Sequence, residues 1–170
     1  MVLPILEKES RKKVGKDFGL ITNPEFLRET NAINDTINPH VVVIGGYNDK
    51  FTKEVENFYT KFHKNVPIVK TNHQTAEMIK YANNSFLATK ISFINQIATI
   101  CEVIPGANID VVAKTIGLDP RIGNLFLTAG PGYGGSCLPK DVKAIINFST
   151  KYKIKPTLLD AVEKINHQQL

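Results

Sequence analysis

The sequence has little that would tie it to a disulfide scaffold, a metal or a membrane. Only two cysteines occur in 170 residues. Cys101 lies in ATICEVI among apolar neighbours and reads as core packing, whereas Cys137 follows a run of glycines. The pair does not read as a disulfide framework, so a reducing compartment, the cytoplasm, is expected. The four histidines, His40, His63, His73 and His167, show no metal-ligand spacing with each other or with either cysteine, and no metal site is expected. No apolar run reaches membrane-spanning length, and MVLPILEKESRKK becomes charged too soon for a secretory leader. A net charge of +5 would suit an anionic ligand, but the basic residues cluster only at Arg11, Lys12 and Lys13. That cluster reads as a solvated helix end rather than a nucleic-acid patch. Internal repeats, low-complexity segments and flexible linkers are missing. The strand-to-helix turn GGYNDK also lacks the spacing G-x-G-x-x-G: if the chain uses a dinucleotide, the phosphate-gripping turn is not encoded there.

What is there concentrates in GPGYGGSCLPKDVKA, Gly130 to Ala144. Gly130, Gly132, Gly134 and Gly135 permit positive φ and let backbone N–H groups approach a ligand. Pro139 has the φ favoured at a helix start, and apolar Val142, Ala144, Ile145, Ile146 and Phe148 continue at helical spacings. Cys137 is therefore expected at a helix N-terminus, where unpaired N–H groups favour thiolate over thiol, with the Lys140 cation nearby. Asp141 follows one helical turn later. A cysteine in this setting reads as an activated nucleophile.

The rest of the chain suggests two kinds of architecture. VLPILEKESRKKV is expected to be a helix closed by Gly15, followed by a short strand, FGLIT. NPEFLRETNAIND, Asn23 to Asp35, packs Pro24, Phe26 and Leu27 among charges, either as a capped helix start or as a loop with a task. PHVVVIGG reads as a buried strand of a parallel sheet. DKFTKEVENFYTKFHK then sets Phe51, Val55, Phe58, Tyr59 and Phe62 on one helical face, and VPIVKT returns as a strand, giving a β–α–β unit. From about Asn72 to Ile104 the pattern predicts one helix of roughly thirty residues, about 50 Å long. Its apolar residues cover more than one face, which predicts packing on both sides and a second subunit. Lys80 and Asn84 share one of its faces, and Asn83 and Asn95 also lie in it. NIDVVAKTIG is a shorter helix capped by Asn108, LDPRIGNLF carries Arg121 in a turn, and KPTLLDAVEKINHQQL is helical. The expected fold is α/β, part of a Rossmann-like domain over residues 1–71, followed by an all-α domain over 72–170, mostly helical overall.

Four separated stretches, NPEFLRETNAIND, MIKYANNSFLATKISFIN, GLDPRIGNLF and GYGGSCLPKD, resemble the nucleotide-sugar dehydrogenase family in order and interval. The resemblance covers nearly the whole chain but only the middle of the family's architecture. It implies the end of an NAD-binding domain and the central helical dimerisation domain. The family's dinucleotide fingerprint, its threonine-bearing strand ahead of the first stretch and its carboxy-terminal nucleotide-binding domain have no counterpart in these residues.

It further implies that a sugar alcohol is oxidised twice by NAD, with Cys137 holding first a thiohemiacetal and then a thioester. Lys80 and Asn84 would hold the developing oxyanion and position a water. Asp141 would orient the water or tune the thiol, and Glu25 would act as base in thioester hydrolysis. Phe26, Leu27, Arg28 and Glu29 would line the junction of sugar nucleotide and cofactor, with Lys140 and Glu29 on the cofactor side. Gly132, Tyr133, Gly134 and Gly135 would cradle the sugar, and Arg121 would reach a neighbouring subunit's site across a homodimer built on the long helix. Thr30 stands where many members have glycine. Leu138 stands where the UDP-glucose branch often has phenylalanine, while RIGN is typical of that branch, so UDP-glucose is preferred over GDP-mannose or an N-acetylated UDP-sugar. A non-catalytic dimerisation module is the alternative.

Overall fold

The β-branched run that ends in two glycines forms the middle strand of a three-stranded sheet. In the computed structural model, which describes residues 2–169, this strand is β2 (Val42–Gly46). It pairs in parallel with β3 (Ile68–Thr71), Val42 opposite Ile68 and Gly45 opposite Thr71. On its other side the two-residue β1 (Ile21–Thr22) runs antiparallel, so the sheet is mixed where the sequence suggested only parallel strands. Val42, Val43 and Ile44 are buried. Each such side chain contributes about 1.5–3 kcal/mol relative to exposure, which is why the register of this strand is so well defined.

The structure divides into two units, Met1–Lys80 and Tyr81–Leu170. In the first, α1 (Val2–Ser10) stops short of the expected Val14 because Arg11 adopts a φ of 57°. The Glu7 carboxylate then accepts from the Val14 amide and pairs with Lys13, folding the chain back. A 3₁₀ turn (Glu29–Asn31) leads into the short α2 (Ala32–Ile37). The crossover from β2 to β3 is α3 (Asp49–Phe62), capped by Asn48, whose Oδ1 accepts from the Phe51 amide while its Nδ2 donates to the Gly15 carbonyl. Its apolar stripe is only partly covered, with Phe51, Val55 and Tyr59 half-buried. Thr52 is the buried residue of α3, and Phe58 and Phe62 are exposed with their rings 4.8 Å apart. Gly45 has no room for a side chain: a Cβ there would lie 2.6 Å from the Ala76 Cβ and 2.8 Å from the Asn72 carbonyl oxygen.

The long helix is α4 (His73–Glu102), 30 residues within one residue or two of the expected bounds. The second unit contains its greater part, then α5 (Ile109–Gly117), α6 (Cys137–Lys151) and α7 (Thr157–Gln168). Asn108 caps α5, accepting from the Asp110 and Val111 amides. Ala88, Tyr133, Val142 and Val162 form the buried cluster, with Ile91, Leu138 and Ile146 packed against it. Small residues on α4 let the other helices come close: Ser92 donates to the Val162 carbonyl at 3.0 Å. The opposite side of α4 is different. Phe86, Phe93 and Ile100, seven residues apart, are 65%, 48% and 49% exposed. Cys101 is half-buried near the end of this helix and not in the core, contrary to its apolar sequence setting.

Candidate active site

Two groups of chemistry-bearing residues stand out, one in each unit. In the first, residues 23–28 between β1 and the 3₁₀ turn are a loop, and the helix begins only at Ala32. Lys80 donates to both the carbonyl and the carboxylate of Glu25, at 2.9 Å for Oε1, and Glu25 Oε2 accepts from the Leu27 amide at 2.7 Å. The Lys80 ammonium, whose side chain is only 17% exposed, also lies over the Phe26 ring, 5.5 Å from its centroid. Arg28 closes the loop on Asp35 with a bidentate pair and a third bond from its backbone amide. Those bonds to Arg28 hold the Asp35 carboxyl well below the usual carboxylate range. Glu29 is exposed.

In the second unit, Cys137 is the first residue of α6, half-buried, with the Ser136 hydroxyl 3.6 Å from its sulfur. Pro139 sits two residues inside the helix and not at its start; its missing N–H falls in the first turn, where no intrahelical acceptor exists. One turn beyond the thiol, Asp141 is 2% exposed. Its Oδ2 accepts from Asn84 Nδ2 at 2.6 Å and its Oδ1 accepts from Lys140. Asn84 is buried too, and its Oδ1 accepts from Asn83. The Asn84 amide thus joins α4 to the helix that carries the thiol, and one of its N–H protons is not used in these two bonds. The bond to Asp141 and its negative charge raise the Lys140 ammonium above its ordinary value.

Tyr133 and Arg121 are both held by partners within the chain. Tyr133 points inward: its ring is in the core cluster and its hydroxyl donates to Glu163 at 2.6 Å. Burial, then the bond to Glu163 and its charge, raise the phenol well above its usual value. Arg121 is exposed and bidentate with Asp119, its own neighbour in the turn. Gly134 has open space around it, whereas Gly132, at φ 91°, lies against Asn166. The sequence reading missed Asn166 and Glu163. The available signal was an asparagine four residues after Val162 on an otherwise apolar face, a place where a polar side chain is buried only with partners. It also missed the Thr22 hydroxyl 2.8 Å from His73 Nδ1.

Among the described residues no group of three or more His, Cys, Asp or Glu side chains could hold a metal ion, and no helix is long and apolar enough to cross a membrane. A dinucleotide's phosphates do not fit the turn after β2. Asn48 already occupies the head of α3, and Gly45 faces Asn72 and Ala76 instead of open space.

Residues 74–168 match the model of the UDP-glucose/GDP-mannose dehydrogenase family, central domain, and residues 1–63 match the same family's NAD binding domain. A UDP-glucose 6-dehydrogenase of Bacillus subtilis, TuaD, is 47% identical over 169 residues, 99% of this chain and 36% of the relative. The solved UDP-glucose dehydrogenase of Pyrobaculum islandicum superposes with a TM-score of 0.80 at 36% identity, over 91% of this chain and 35% of the other. The UDP-D-ManNAc dehydrogenase of Pyrococcus horikoshii gives 0.85 at 27% identity, over 98% and 38%. The chain spans about a third of the length of the relatives it matches.

Proposed function

The chain belongs to the UDP-glucose/GDP-mannose dehydrogenase family, and from that membership we propose that it takes part in the NAD-dependent oxidation of the 6-hydroxymethyl group of UDP-glucose to the carboxylate of UDP-glucuronate. Residues 1–71 are then the end of the NAD-binding domain and 72–170 the central domain. The observation that carries the reading is the buried Asn84–Asp141 bond one turn behind Cys137.

NAD, when bound, accepts the hydride of each of two oxidations. The chain's residues do the remainder. The Cys137 sulfur adds to the carbon of the intermediate aldehyde, whose oxygen takes a proton to give a thiohemiacetal. Loss of hydride and of that hydroxyl proton leaves a thioester. Water then adds, the carbon–sulfur bond breaks, and the thiol returns as the carboxylate leaves. Lys80 and the unused Asn84 N–H stabilise the oxyanion at each addition. Asp141 orients Asn84, and Glu25, paired to Lys80, takes the proton of the attacking water. Phe26, Leu27 and Arg28 line the nucleotide-sugar site, the backbone of Gly132 to Gly135 cradles the sugar, and Glu29 and Lys140 face the cofactor. The sulfhydryl chemistry suits the cytoplasm.

A second reading is favoured by a specific observation. The exposed heptad of Phe86, Phe93 and Ile100 is the stripe of a helix that pairs with a second copy. It suits a homodimerisation module, with Arg121 reaching the neighbour's site in the assembled dimer. NADH formation from UDP-glucose by the purified chain, abolished in Cys137→Ala, is the expected outcome of the first reading. A stable dimer in light scattering with no NADH from UDP-glucose, GDP-mannose or an N-acetylated UDP-sugar would sink it and leave the second.

A further inference from the structure

The glycine-rich loop ahead of Cys137 is gripped by asparagine side chains from two different helices. Asn95 of α4 accepts from the Gly130 amide at 2.8 Å. Asn166 of α7 accepts from the Tyr133 amide at 2.7 Å and donates to the Tyr133 carbonyl at 3.0 Å. Both are buried, at 1% and 9% exposure. The Asn166 amide satisfies both backbone groups of one residue, as a neighbouring strand would, at a place where no strand runs. Gly132 makes this possible: a Cβ there would lie 2.4 Å from Asn166 Oδ1. Three residues earlier on α7, Glu163 takes the Tyr133 hydroxyl, so one helix face holds this residue by backbone and side chain.

From these contacts we propose that Asn166, with Asn95 as a second anchor, is a positioning residue that fixes the backbone at 130–133 and so sets where Gly134 to Ser136 deliver Cys137. A loop with this many glycines has many conformations to lose, and buried bonds at two points select one of them. The bonds of Asn166 fall on the backbone of Tyr133, so it acts through the loop. Asn95 keeps its Nδ2 without a partner among the described residues, a buried donor retained for the sake of the bond its oxygen makes. The inference rests on the proposed role of Cys137 only for its consequence in catalysis, because the contacts themselves need no turnover.

Amide hydrogen exchange and iodoacetamide labelling of the 170-residue chain test it. In Asn166→Ala the Tyr133 amide is expected to exchange at least about tenfold faster, residues 130–136 with it, while α5 is unchanged. The labelling ratio of Cys137 to Cys101 should shift at least about threefold, which a general loss of stability would not produce. Asn166→Asp, which keeps the acceptor for the Tyr133 amide and loses the donor, should lie between the two and carries the test if the alanine variant does not fold. Loop exchange equal to that of the unmutated chain, or accelerated equally in α5, overturns the proposal. Equal labelling of the two cysteines in the unmutated chain would overturn the nucleophile reading instead, and the exchange result would then decide the positioning role alone.

Discussion

The loop from Asn23 to Asp35 and the loop from Gly130 to Cys137 both present candidate catalytic groups, but they are held by different physics. The first is closed by charge: Arg28 on Asp35 and Lys80 on Glu25, each pair with one partner about half exposed to water. The second is closed by buried amides, Asn95 on Gly130 and Asn166 on Tyr133. Exposed ion pairs are weakened by solvent and salt, whereas a buried polar group that loses its partner keeps the full cost of its desolvation. The thiol loop should therefore be the stiffer of the two and the less sensitive to ionic conditions.

Gly132→Ala tests that contrast most severely. A side chain there meets both a positive φ and the Asn166 oxygen, so a loss of about 2–3 kcal/mol is expected in denaturant unfolding. Gly134→Ala, in open space, should cost far less; equal costs would mean that Asn166 does not pin the loop. Next comes Asn84→Ala, which strips one partner from the buried Asp141 carboxylate and should lower stability by about 1–3 kcal/mol. A melting temperature unchanged in that variant would break the link drawn between α4 and the head of α6.

Arg28→Ala should have a smaller effect, visible at low ionic strength and fading as salt is added. Its pH dependence has a definite sign. The Asp35 carboxyl is lowered by its bonds to Arg28, so their stabilisation is present above the unfolded carboxylate value near about 4 and disappears as pH falls through the folded value. A salt-independent loss would place this loop in the same class as the other. The smallest signal is spectroscopic. Tyr133, raised by burial and by Glu163, should ionise above the ordinary tyrosine range in an alkaline absorbance titration. The stability it contributes is complete below the unfolded tyrosine value of about 10 and is lost at higher pH. Tyr133→Phe should remove that high-pH step.

Elements with a strong period were legible. The Val42–Gly46 strand, the α3 crossover, the 30-residue α4 and the Asn108 cap all follow from β-branched runs, apolar spacing and capping chemistry. Cys137 at the head of a helix was legible as well, because glycines before it and a proline after it allow little else. Less legible were features that depend on what a residue meets. Of the residues set on one face of α3, Phe51, Val55 and Tyr59 are half-buried while Phe58 and Phe62 are exposed, and spacing alone does not tell the two groups apart. Tyr133 lies in the glycine run read as a sugar cradle, and its side chain is core, with Glu163 within reach of its hydroxyl. Cys101 looked buried and is half-buried.

The chain alone determined which segments become helix or strand and which residue types could do chemistry. Periodicity, caps and φ preferences act over a few neighbours, and every residue they need is adjacent in the sequence. The tertiary structure decided which amide answers which carboxylate: Asn84 with Asp141 across 57 positions, and Asn166 with Tyr133 across 33. A buried hydrogen bond is a matter of tenths of an ångström between atoms far apart in the chain, and no local pattern encodes that distance.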